Sequence, residues 1–99
     1  MKVTTEVSWS TTTDWRRTEG TSLSGYVEAT YEELVELLGQ PIEGGDKTQA
    51  EWWVVFSDGA VATIYDWKES VPVERVTTWH VGGRGPEAAR RVKQLLIEG

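Results

Sequence analysis

Ninety-nine residues with 38% hydrophobic and 26% charged side chains have the composition of one folded, soluble domain, not of a disordered chain. No apolar run approaches the roughly 18 residues that span a bilayer, and the opening MKVTTEVSWS lacks the apolar stretch of a signal peptide, so neither a membrane role nor export is expected. The net charge of −6 disfavours general DNA binding, and the absence of cysteine removes disulfides, thiol nucleophiles and thiolate metal sites and suits a cytoplasmic setting.

Residues 3–9 (VTTEVSW) alternate apolar and polar side chains, the pattern of a half-buried strand. Residues 10–22 are polar, carry a turn signal at Glu19-Gly20, and predict a long loop. That loop presents Trp15 beside Asp14, Arg16 and Arg17, well placed as a protruding anchor for a partner. A second strand is expected over Leu23–Ala29.

Thr30-Tyr31-Glu32-Glu33 has the form of a capping box, and Tyr31, Leu34, Val35 and Leu38 follow on one helical face. Gly39 ends this helix and Pro41 prevents its resumption. Residues 40–48 read as a loop. Glu51–Phe56, the turn Ser57-Asp58-Gly59 and Ala60–Trp67 read as a hairpin. A further strand over Val76–Val81 and a helix over Pro86–Glu98, with Ala88, Ala89, Val92, Leu95 and Leu96 inward, complete the order ββαβββα. Connections this short predict an α+β fold: a single two-layer domain over residues 1–99, a mainly antiparallel sheet with two helices on one face.

Three stretches have chemical potential. Gly83-Arg84-Gly85-Pro86-Glu87-Ala88 matches G-x-G-x-x-A between a strand and a helix, but neither a second strand nor an acidic residue about 20 positions on can follow it, so a dinucleotide fold is not expected. The turn formed by Gly82, Gly83, Arg84 and Gly85 could still hold an anion, with Arg84 as its fork, or could serve only to turn the chain. His80, the only histidine, is open to three readings: a hydrogen-bonded structural residue, a ligand contact, or a general acid or base. With no second histidine and no cysteine, no metal site is expected, and no cofactor is implied.

The third stretch is aromatic. Six tryptophans exceed the three or four large rings, roughly, that a small core encloses. Strand alternation sets Trp52, Val54 and Phe56 against Trp53 and Val55, and Ala62 and Ile64 against Thr63, Tyr65 and Trp67. If helices cover one face only, Trp53, Tyr65 and Trp67 decorate the other. That face could be a ligand or partner platform, a homodimer surface, or buried in the hairpin's own surroundings.

The set GYVEATYEELVELLGQP, KTQAEWWVVFSDGAVATIYDWK and TTWHVGG, spanning about residues 25–83, resembles small, uncharacterised bacteriophage-encoded proteins with a GY…YxxLV…EW…DGxATIY…WHxGG pattern. The residues that carry the likeness are Gly25, Tyr26, Tyr31, Leu34, Val35, Glu51, Trp52, Asp58, Gly59, Ala62, Thr63, Ile64, Tyr65, Trp79, His80, Gly82 and Gly83. The resemblance implies a phage setting in the host cytoplasm and no specific chemistry. The expectation it suggests is a non-enzymatic accessory protein that binds and inhibits or sequesters a host factor, plausibly against host defence. A nucleotide-like small ligand on the aromatic platform and the Gly82–Pro86 turn is one alternative, and a weak His80-dependent enzyme is another.

Overall fold

The computed structural model describes residues 8–98. Its strands are β1 (Trp9–Thr12), β2 (Ser22–Glu28), β3 (Ile42–Glu43), β4 (Ala50–Phe56), β5 (Val61–Tyr65) and β6 (Thr78–Gly83). Its helices are α1 (Tyr31–Leu38) and α2 (Glu87–Glu98), with 3-10 turns at Trp15–Thr18 and Val73–Arg75. The strands form one antiparallel sheet in the order β1-β4-β5-β6-β2, and β3 pairs with the start of β4 beyond the reach of β1. This is the expected α+β sandwich with one strand more than the sequence order ββαβββα.

Alternation decides which residues face the helices. Ala50, Trp52, Val54 and Phe56 are buried, whereas Glu51, Trp53 and Val55 between them are half-buried. Leu34 and Leu38 of α1 and Val92 of α2 lie in the same core as Val54, Ile64, Trp79 and Val81, with Val35, Leu95 and Leu96 packed at its margin. Helix α1 begins as its sequence dictates. Thr30 Oγ1 accepts from the Glu33 amide at 3.1 Å and Glu33 Oε1 accepts from the Thr30 amide at 2.8 Å, a complete capping box. Gly39, at φ 89° and ψ −166°, takes a positive-φ conformation open essentially to glycine alone, which ends the helix at little steric cost.

The N-terminal region departs from expectation. Of the strand expected over 3–9, residues 3–7 lie outside the described residues. The strand seen runs through Trp9–Thr12, into the stretch read as loop, because its β-branched threonines pair with Val54 and Trp53 of β4. Nor is the remainder an open loop. Strands β1 and β2 lie at opposite edges of the sheet, so residues 13–21 must cross a face to join them. They cross the face without helices, and their 3-10 turn rests against β5. This crossing explains why Val61 and Thr63, whose side chains point away from the helices, are nonetheless buried. Strand β3 escaped the sequence reading because two residues are too short to show alternation.

Strand β6 runs past the expected Val81 to Gly83, and α2 starts at Glu87, one residue after Pro86. Glycine weakens a strand in general, but here the absent side chains are required. A Cβ at Gly83 would collide with Ala88 of α2, and one at Gly25 of β2 would come within 2.8 Å of the Ala89 Cβ. The two glycines let α2 lie close on the sheet.

Candidate functional site

The helix-free face is organised in rows that run across the strands. In one row Tyr26, His80, Tyr65 and Glu51 are successive cross-strand partners on β2, β6, β5 and β4. In the next, Leu23, Gly82, Thr63, Trp53 and Thr12 follow in the same way. Gly82 is the low point. A Cβ there would come within 2.5 Å of Thr63 Oγ1 and 3.7 Å of the Tyr65 ring, so the missing side chain is what lets these two groups pack over the backbone at this point.

The first row is almost entirely aromatic. The Tyr26 and His80 rings meet edge to face at 4.8 Å, His80 and Tyr65 stack at 5.4 Å, and Tyr65 meets Trp67 edge to face at 6.3 Å. Such geometries are the favoured arrangements of ring quadrupoles. The Tyr65 phenol is pushed above its usual 10.0 by burial first, and then by the charges of Glu51 and Tyr26, so it stays a neutral donor at physiological pH. His80 Nδ1 is buried and, among the described residues, is the one such side-chain nitrogen or oxygen with no hydrogen-bond partner.

Two depressions share Tyr65 and Trp67 as a common wall. One, of about 260 Å³, lies between Thr18 and Thr21 of the crossing segment and Trp53, Thr63 and Gly82 of the sheet. The other, of about 430 Å³, is bounded by Leu23, Tyr26 and His80. At the floor of the first, Glu51 is held at both oxygens: Trp53 Nε1 donates to Oε1 at 3.0 Å and Thr48 Oγ1 to Oε2 at 2.8 Å. A carboxylate so fixed still has lone pairs for a ligand's N–H or O–H.

Trp67 owes its place to a neighbour that sequence reasoning missed. Asp66 is fully buried and accepts from the Gln49 amide at 2.7 Å, Gln49 Nε2 at 3.0 Å and the Ala50 amide at 3.1 Å. Three donors compensate a carboxylate removed from water. A signal existed: alternation puts Asp66 on the same side as Ala62 and Ile64, where a lone carboxylate must have a structural reason.

The structure brings His80, Gly82, Trp53, Tyr65 and Trp67 onto one face, although sequence reasoning keeps them in two separate sets. It separates the others. Gly83 points toward α2, and Gly85 is exposed with open space around it. Arg84 is exposed but not a free anion fork: its Nε donates to the Glu19 carbonyl at 3.1 Å and its Nη2 to the Arg17 carbonyl at 3.0 Å. A guanidinium already engaged with two main-chain oxygens ties the crossing segment down, which favours the purely structural reading of the turn over the anion fork. Trp15 stands at 63% exposure, while Arg16 pairs with Asp14 at 3.0 Å.

Among the described residues no three His, Cys, Asp or Glu side chains gather as a metal site, and no helix is long and apolar enough to cross a membrane. No protein-family model, curated protein or solved structure matches the chain.

Proposed function

We propose that the protein is a non-enzymatic binding protein that captures a small planar ligand on the helix-free face of its sheet. The observation that carries this reading is the aromatic row Tyr26–His80–Tyr65–Trp67, set beside the depression that Trp53, Thr63 and Gly82 line. Mostly apolar walls with a few fixed polar groups are what small-ligand sites require, and Glu51 and the Tyr65 hydroxyl supply those groups here. The resemblance to phage-encoded proteins supplies the setting: sequestration of a host compound in the host cytoplasm, as a means of blunting a host response.

The test is retention. The protein is incubated with a small-molecule extract of host cells, washed on a filter, denatured, and its released compounds identified by mass spectrometry. An aromatic compound should be retained at near-stoichiometric amounts by the wild type and lost from Tyr65→Ala and Trp67→Ala. Equal recovery from wild type and both variants would overturn the reading.

Trp15 favours a second reading, in which a host protein is the factor bound. A tryptophan 63% exposed and flanked by Asp14, Arg16 and Arg17 is the kind of anchor that dominates protein interfaces. Trp15→Ala would then abolish partner capture without affecting ligand retention.

A further inference from the structure

Lys47 and Lys68 approach the same indole. Their Nζ atoms lie 5.5 and 5.6 Å from the centre of the Trp67 ring, within cation–π range. Among the described residues neither ammonium has a carboxylate within ion-pair distance, although Asp46 and Glu69 adjoin them in sequence. In a chain of net charge −6, two cations converging on one ring without a counter-ion is an unusual concentration of positive charge.

The backbone holds them there. Lys68 has φ 52°, and no other described residue except glycine has a positive φ. An L-residue rarely adopts this conformation, because its Cβ crowds the neighbouring carbonyl oxygen. Strain of this kind persists only where surrounding contacts fix it. The contacts are evident: the Lys68 amide donates to the Lys47 carbonyl at 2.8 Å, and one step away Asp66 binds Gln49 and Ala50. The two lysines are therefore presented together, beside the rings that would stack a planar group.

Resting on the ligand reading above, we infer that the ligand is a free nucleotide, its base on the Tyr65–Trp67 end of the aromatic row and its phosphate between Lys47 and Lys68. The carboxylate of Glu51 repels phosphate and accepts from hydroxyl or amino groups, so it orients the sugar or base inward and the phosphate toward the lysines. A polynucleotide is disfavoured by the acidic body, whose field opposes a long polyanion.

Calorimetric titration separates the two levels of the claim. Adenosine and guanosine are compared with their mono-, di- and triphosphates, and with inorganic phosphate, at low salt. The variants are Lys47→Gln and Lys68→Gly, the latter chosen because glycine accepts φ 52° without strain and keeps the fold. At least one nucleotide should bind about tenfold or more tightly than its nucleoside. The double variant should lose that advantage, keep its melting temperature and bind nucleoside as before. Equal affinity for nucleoside and nucleotide, or an advantage that survives the double variant, overturns the phosphate site and leaves the aromatic reading standing. Failure of every nucleotide to bind, while an uncharged aromatic compound is retained from extract, also overturns it. If nothing is retained from extract either, both readings fall.

Discussion

The indoles of Trp52 and Trp79 meet edge to face at 5.3 Å, and between them they hold both ends of helix α1. Trp79 Nε1 donates at 3.0 Å to the Ala29 carbonyl just before the helix, and Trp52 Nε1 donates at 2.9 Å to the Gly39 carbonyl just after it. Both rings are thus core residues and clamps. Trp79→Phe keeps an aromatic ring but strands the buried Ala29 carbonyl, and we expect it to cost about 1–3 kcal/mol in urea denaturation. A change under 0.5 kcal/mol would mean that the indole serves only as apolar volume.

Removing the Asp66 carboxylate leaves the Gln49 and Ala50 amides without their acceptor. Asp66→Ala should destabilise by about 2–4 kcal/mol, and Asp66→Asn, which retains one oxygen, by clearly less. Thermal melting ranks the two. Equal losses would show that the negative charge itself, and not the acceptor geometry, holds the turn before Trp67.

Arg84→Ala should release the crossing segment while sparing the core. Losing its bonds to Arg17 and Glu19 is worth about 1–2 kcal/mol locally. Hydrogen exchange at residues 15–21 should accelerate about tenfold or more, with the β4–β5–β6 amides unchanged. Uniform acceleration across the sheet would contradict a local tie.

Asp58 links the β4–β5 turn to α2 through Arg91, whose Nη1 and Nη2 donate to its two oxygens at 3.0 and 2.6 Å. The guanidinium holds the Asp58 carboxyl below its ordinary 3.8. A depressed carboxyl stabilises the fold above its unfolded value, and this contribution is lost as pH falls through the folded value. Asp58→Asn should therefore be less stable than wild type at pH 7, and the gap should close in acid as pH falls through the lowered folded value. Denaturation over a pH series checks this. A gap that stays constant with pH would assign the effect to hydrogen bonding alone.

Elements whose cues are local were legible in the sequence. The capping box of Thr30 and Glu33, the helix stop at Gly39 and the alternation of β4 all depend on residues within a few positions of one another. So does the division of Trp52 from Trp53. Less legible was everything decided by strand order. Nothing local shows that β1 and β2 take opposite edges, so residues 13–21 read as a loop and Arg84 as open to an anion or to no ligand at all. The same order unites His80 and Gly82 with Trp53, Tyr65 and Trp67. The left-handed backbone of Lys68 is invisible for another reason: it is imposed by distant contacts on a residue that does not favour it.

The crossing segment has a length reserve. Strands β1 and β2 stand at the two ends of the five-strand path, four spacings apart, or about 19 Å at the usual inter-strand distance. Its nine residues, 13–21, could reach about 30 Å if fully drawn out. Four of them are wound in the 3-10 turn, where each advances about 2.0 Å instead of about 3.3 Å. Unwinding that turn lengthens the span by about 5 Å with neither edge strand displaced. The segment can thus rise from the face with both of its ends in place, without loosening the core behind it.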